Sequence, residues 1–240
     1  MKKLLLATLI VAATLTGCVV ANGTHDSNKA NVSKTETLGA FDCIVSDAIV
    51  DIDIIYTADS TNSIVYDMSP NLLDITAATI DGSTLTVKHT GNNPRHNKFE
   101  KEQITIYTNS PIKKCVVNGV GDIDLYKGTT AIDFNIELNG VGDIDVRDIK
   151  ARSVSARLDG VGDINLKGTT ESASYILSGT GDIEAKHLIA NSVTANNSGV
   201  GDIECHASTS IEANCSGVGD VEYYGNPATT NLKGNNITRK

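Results

Sequence analysis

Along most of the chain, apolar and polar residues alternate with a period of two. No stretch sustains the 3.6-residue period of an amphipathic helix. DAIVDIDIIY at 47–56, LLDITAATIDGSTLTVKH at 72–89 and EQITIYTN at 102–109 read as strands, with Asp81-Gly82 marking a turn. From residue 118 the alternation becomes a repeat. NGVGDIDL returns as NGVGDIDV, DGVGDINL, SGTGDIEA, SGVGDIEC and SGVGDVEY. The leading glycines are Gly119, Gly140, Gly160, Gly179, Gly199 and Gly217, at spacings of 21, 20, 19, 20 and 18. A period near 20 is the signature of a solenoid.

Counting from each leading glycine sorts the repeat into columns. Four places on stand Ile123, Ile144, Ile164, Ile183, Ile203 and Val221. Six places on stand Leu125, Val146, Leu166, Ala185, Cys205 and Tyr223; two places before stand Val117, Leu138, Leu158, Leu177, Asn197 and Cys215. These columns share one parity, so they mark the inward faces of strands. Each coil is expected to hold a strand such as GDIDLYK, a corner such as KGTT and a second strand such as AIDFNIELN. One coil cannot bury its own apolar side, but a stack of coils about 4.8 Å apart can. The expected fold is therefore an all-β solenoid with about 20-residue coils. Residues 38–117 read as larger, irregular coils continuous with the repeats of 118–224. Residues 225–240 read as a terminal coil: LKGNNITRK lacks the second glycine and the aspartate, as suits a cap over an open edge. GNNPRHNKFEKE, 91–102, reads as an exposed loop.

The first residues carry a different pattern. Lys2 and Lys3 precede an apolar run from Leu4 to Leu15, too short to span a bilayer and suited to a signal peptide. The run ends in Leu15-Thr16-Gly17-Cys18, which resembles a bacterial lipobox. Residues 1–17 are thus expected to be removed and Cys18 to carry the lipid, palmitate included, that anchors the chain. Val19 after the cysteine resembles lipoproteins sorted to the outer membrane of a Gram-negative cell. Residues 18–37 have no apolar period and read as a lipidated flexible tether.

The formal charge is −9, and −11 once Lys2 and Lys3 are removed. An acidic surface disfavours nucleic acid and anionic lipid as partners. Tryptophan is absent, and the Gly, Thr, Ser, Asn, Asp, Val and Ile content suits short strands and tight turns.

Three places after each leading glycine stands aspartate: Asp122, Asp143, Asp163, Asp182, Asp202 and Asp220. Carboxylates stacked about 4.8 Å apart repel by roughly 1 kcal/mol per neighbour in water. Something must offset that. Either each carboxylate accepts charge-assisted bonds from turn amides freed by the Gly-x-Gly bend, or a row of cations such as Ca²⁺ lies between the coils. The column two places on (Asp124, Asp145, Asn165, Glu184, Glu204 and Glu222) lies beside Tyr126, Arg147, Lys167, Lys186, His206 and Tyr224. The two columns predict diagonal ion pairs on a solvated face.

Cys43, Cys115, Cys205 and Cys215 lie beyond the lipidated cysteine, in a compartment that permits disulfides. Cys205 and Cys215 fall on two inward columns of one coil. They are either a disulfide across a narrow core or two buried thiols. No Cys/His spacing suggests zinc. His89, His96, His187 and His206 are scattered and no catalytic motif occurs, so no catalytic residues are expected.

In order along the chain, several segments resemble one family of bacterial lipoproteins, described as putative auto-transporter adhesin, head GIN domain. They are Phe41 with Ile44, LLDITAATIDGSTLTV at 72–87, ITIYTNSPIKKCVVNGVGDI at 104–123, the Gly-x-Gly repeats and YYGNP at 223–227. The resemblance runs over roughly residues 38–233. It implies a right-handed parallel β-helix and adhesion or binding at the cell envelope, to a protein or a glycan. It names no catalytic residue. Two other readings stay beside it: a structural periplasmic envelope protein without a specific ligand, and a polysaccharide-active β-helix enzyme.

Overall fold

The computed structural model describes residues 31–59, 61–91, 102–126, 130–234 and 236–240. The signal segment, Cys18, residues 19–30, His96 and nearly all of the 91–102 loop lie outside them.

The chain is a stack of parallel coils, a β-solenoid of about six turns. Its regular part begins with β8 (Lys114–Val117), β9 (Ile123–Leu125) and β10 (Thr130–Leu138). It continues through β11 (Ile144–Leu158), β12 (Ile164–Leu177), β13 (Ile183–Asn197), β14 (Ile203–Cys215) and β15 (Val221–Tyr224). It closes with β16 (Thr229–Lys233) and β17 (Ile237–Arg239), which pair in parallel with β14 and β15. The inward columns stack in register. Ile123, Ile144, Ile164, Ile183, Ile203 and Val221 are each Cα partners of the next and at most 1% exposed. Burying each such side chain contributes about 1.5–3 kcal/mol, which no isolated coil obtains.

In the coil of β9 and β10 the KGTT corner falls on residues 127–129, outside the described residues, between two separate strands; in the later coils the corresponding corner is not a break. β11 to β14 run straight through it as strands of 13–15 residues. The ladder absorbs the bend by shifting register between Val146 and Ile149 and again between Asn165 and Lys167. At one core position a large residue faces small ones. Tyr175 is fully buried between Ala156 and Ala195 of the neighbouring coils. Burial holds its hydroxyl well above the usual phenol range.

The first half departs from chain order. β2 (Cys43–Asp47) and β3 (Asp51–Tyr56) form a coil that lies directly against β8 and β9. The intervening chain packs on its other side: β6 (Thr84–His89) pairs with β2 and β7 (Gln103–Thr108) with β3, both parallel. Beyond them the direction reverses. β5 (Thr76–Asp81) joins β6 and β4 (Asn62–Met68) joins β7 as antiparallel strands, with a single helical turn, α1 (Pro70–Leu73), between β4 and β5. The irregular coils expected over 38–117 are therefore one coil in register with the repeats, plus a mixed parallel and antiparallel layer.

Residues 32–37, expected to belong to the tether, are strand. β1 (Val32–Leu38) pairs with β4 through seven residues, Val32 opposite Met68 to Leu38 opposite Asn62. VSKTETL has little to bury, but β4 offers an unsatisfied edge whose main-chain groups β1 completes. Side chains help: the Tyr66 hydroxyl donates to Glu36 Oε2 at 3.3 Å and Lys34 pairs with Glu36 at 2.6 Å. One hydrophobic core runs from Phe41 to Tyr223.

Candidate functional site

The Gly-x-Gly bends stack into one long edge of the solenoid, held by main-chain bonds between coils. The amide of Val141 donates to Gly119 O at 3.0 Å and that of Val161 to Gly140 O at 2.9 Å; Gly142 N donates forward to Val161 O at 3.0 Å. Both glycines are required by contact. A Cβ on Gly160 would lie 2.1 Å from Gly140 O, and one on Gly162 would lie 1.9 Å from Gly142 O, at a φ of +132°. The sequence repeats there because each bend rests on the backbone of the bend before it.

One amide in each bend, that of the aspartate, points back to a place where the preceding bend offers no carbonyl. The preceding aspartate accepts it. Asp143 N donates to Asp122 Oδ1 at 2.8 Å, Asp163 N to Asp143 Oδ1 at 2.8 Å and Asp182 N to Asp163 Oδ1 at 2.8 Å. Asp202 N then donates to Asp182 Oδ1 and Asp220 N to Asp202 Oδ1, both at 2.7 Å. Of the turn amides that the Gly-x-Gly bend frees, the donor is thus the next aspartate's own. A charge-assisted bond in each step offsets the repulsion along the column. The ladder has a seventh member that the repeat did not mark: Asp51 Oδ1 accepts from Asp122 N at 3.1 Å. Its signal was Asp51-Ile52-Asp53-Ile54, which matches Asp122-Ile123-Asp124-Leu125 without the glycines. Among the described residues, no three His, Cys, Asp or Glu side chains gather into a group able to hold a metal ion.

Cys205 and Cys215 are free, buried thiols, as are Cys115 and the half-buried Cys43. The bridge that the sequence allowed is not formed; Cys215 Sγ instead donates to Gly219 O at 3.4 Å. Asn197, buried in an otherwise apolar column, is satisfied within its own bend: Nδ2 donates to Gly201 O at 2.6 Å and Oδ1 accepts from Gly199 N at 3.1 Å.

The charged face carries one of the expected diagonal pairs, Lys186 with Glu204 at 2.6 Å; Glu222 pairs instead with Lys240, from outside the two columns, at 2.9 Å. Arg147 instead pairs along its own strand with Asp145 at 3.0 Å and lies over the Tyr126 ring. Asp124 stands in register between Asp53 and Asp145. Burial, then the charges of Asp145 and Asp53, hold its carboxyl above the usual range. His187 is exposed and His206 half-buried, both far in sequence from His89.

What the sequence reading passed over is the residue between the two glycines. Val120, Val141, Val161, Val200 and Val218 are 44–70% exposed and, with Thr180, pair coil to coil as isolated parallel bridges. They form an outward apolar ridge. Beside it runs an open groove of about 740 Å³, floored by Gly140, Gly160, Gly179, Gly199 and Gly217. Its far wall is the column before the glycines: Asn139, Asp159, Ser178, Ser198 and Ser216. Asn139 Nδ2 donates to Asn118 Oδ1 at 2.9 Å, and Asp159 is paired with Arg157 at 2.5 Å.

Among the described residues no helix is long and apolar enough to cross a membrane. No curated protein matches the chain. A crystal structure of a putative adhesin from Bacteroides fragilis is 29% identical, with a TM-score of 0.82 over 90% of this chain and 99% of that one. A putative adhesin from Parabacteroides merdae (22% identical, TM-score 0.66, 88% of this chain and 96% of that one) shares the fold. So does a putative lipid binding protein from Parabacteroides distasonis (19%, TM-score 0.62, 89% and 98%). The family model described as putative auto-transporter adhesin, head GIN domain, matches residues 50–227. With that match over most of its length and the stacked Gly-x-Gly edge that carries it, the chain belongs to this family.

Proposed function

We propose that the chain is a binding module of the bacterial cell envelope, of the adhesin kind, held at the outer membrane by lipid on Cys18. The observation that carries this reading is the valine ridge. The inward columns already meet the needs of the core, so nothing in the fold calls for an apolar residue between the glycines. Five valines, 44–70% exposed and interrupted only by Thr180, mark a surface meant to be covered. The family and the Bacteroides fragilis neighbour, a putative adhesin, support it. The rigid, repeating edge suits multivalent contact, in which many weak sites act together.

Beads coated with the purified chain are the test. They should capture intact bacterial cells or isolated envelope fragments, and the variant V141K/V161K/V200K should lose at least tenfold of that capture. Equal capture by both proteins would remove the ridge from the function. Incorporation of labelled palmitate, absent in Cys18→Ser, tests the anchor separately.

A further inference from the structure

The ridge and groove also restrict what can lie on them. The exposed valines offer on the order of 400 Å² of apolar surface, the size of the largest patch on an ordinary monomer. A stable protein interface needs about 800 Å² from each partner. Its shape does not suit a second copy of the chain: it is a strip, six coils or roughly 24 Å long and one side chain wide, not a broad face.

A strip of this kind fits an extended polymer. A polypeptide adding as a strand would need main-chain bonds. The bend amides and carbonyls along this edge are already used between coils, as in Val141 N to Gly119 O, Gly121 N to Val141 O and Gly142 N to Val161 O. The edge leaves no row of amides for a peptide to join. An anionic polymer meets the aspartate ladder on one side of the ridge and Asp159 on the other, in a chain of net charge −9. The valine ridge beside the Asn and Ser column suits a neutral polymer with one apolar face and hydroxyls at its rim.

Resting on the binding-module reading, we infer that the groove holds a neutral linear polysaccharide laid along the solenoid axis, about one sugar ring to each coil. A sugar ring in an extended chain advances by close to one coil spacing of about 4.8 Å. Its C–H face lies on the methyls of Val141, Val161 and Val200. Its hydroxyls reach the carboxamide of Asn139 and the hydroxyls of Ser178 and Ser198; Ser198 Oγ already donates to Leu177 O at 3.3 Å and so offers an acceptor. The glycine floor lets the ring sink beside the ridge. Each coil binds weakly, and the affinity comes from repetition.

The experiment is calorimetric titration of the full chain in detergent micelles with cellohexaose, xylohexaose and mannohexaose, and with hexagalacturonate as the anionic counterpart. At least one neutral hexamer should bind. Its trimer should bind at least tenfold more weakly, and chains longer than the stack should gain nothing further. V161K/V200K, which crowds the ridge, and S178W/S198W, which fills the groove, should each weaken binding at least tenfold with unchanged circular dichroism. No binding by any neutral hexamer, binding that ignores both variants, or equal binding of hexagalacturonate would overturn the inference. The bead assay separates the two levels: cell capture that V141K/V161K/V200K abolishes, without sugar binding, leaves the binding module standing and removes only the glycan.

Discussion

His89 Nε2 accepts the main-chain amide of Ile49 at 3.0 Å, and with that bond an imidazole stands in for a missing coil. In every later bend the amide between the glycines is taken by the coil before it, as Val120 N is by Ala48 O at 2.9 Å. The Ile49 bend has His89 there instead. Because Nε2 accepts, the neutral ring carries its proton on Nδ1, which lies 3.1 Å from Thr76 Oγ1; that hydroxyl donates to Leu72 O at 2.7 Å. His89→Ala should therefore cost about 1 kcal/mol, the penalty of an unpaired, half-buried amide. His89→Gln, which retains an acceptor, should recover part of it. Urea unfolding of the two variants beside the parent checks both.

The aspartate ladder makes a sharper prediction. Asp163→Ala removes the acceptor of Asp182 N and should lower stability by about 1–2 kcal/mol. Asp163→Asn keeps an oxygen in place and should lose less than half as much. Hydrogen exchange should quicken at Asp182 in the alanine variant alone. Since Oδ1 of each aspartate from Asp51 to Asp202 already holds an amide, millimolar Ca²⁺ or EDTA should leave the melting midpoint unchanged. A rise with Ca²⁺, lost in D143N/D163N/D182N, would instead assign the column to cations.

Glycine substitutions should divide by contact. Gly160→Ala places a Cβ 2.1 Å from backbone that cannot yield, and the chain should fail to accumulate in folded form. Gly39→Ala meets only Ile80 Cδ1, at 3.7 Å, and should change stability by less than about 0.5 kcal/mol. Expression yield and circular dichroism of the pair decide this.

Asp124→Asn should stabilise the fold at neutral pH. Burial and the neighbouring Asp145 and Asp53 charges raise the folded-state pKa of Asp124, so the fold favours its protonated form. The stability that this group contributes is present below its unfolded pKa and is lost as the pH rises through the folded value. The gain from the substitution should be about 0.5 kcal/mol at pH 7, since the site is partly exposed, and should vanish in mild acid. Unfolding curves for both proteins across that range measure it.

The thiols should behave as buried hydrophobes. Burial pushes Cys115 and Cys205 up to about 12, which leaves almost no thiolate at neutral pH. Iodoacetamide should modify the half-buried Cys43 first and reach Cys115 and Cys205 only after unfolding. Reduction should leave both the intact mass and the melting midpoint unchanged. A reducible Cys205–Cys215 link would contradict the free thiols of the structure.

What could be read from the chain alone followed from local regularity. The columns at Ile123, Leu125 and Val117 were legible because parity and a period near 20 place every member in the same environment. Asp122 and its successors stood out for the same reason. Asp51 did not, because its coil lies next to that of Asp122 only after the chain returns from an excursion of 71 residues. Val141 and its column were visible as letters but carried no assignment, since nothing local says whether a residue between two glycines faces the core or the solvent. β1 was missed because VSKTETL has weak apolar character, and its pairing with β4 rests on main-chain groups that any sequence carries.

The sequence by itself determined the solenoid. A repeat that sets Gly-x-Gly-Asp and two inward apolar columns about every 20 residues has one economical packing, each coil on the last. Only the tertiary structure decided how the stack is closed and what it offers. The coil of β2 and β3 precedes that of β8 and β9 in space although residues 57–113 separate them in sequence. His89 and Asp51 thereby become the first partners of two ladders. The physical reason is range. Parity and period act between neighbours a few residues apart, whereas the partner of an open edge is chosen by whichever distant segment can reach it, satisfy its amides and bury its apolar side.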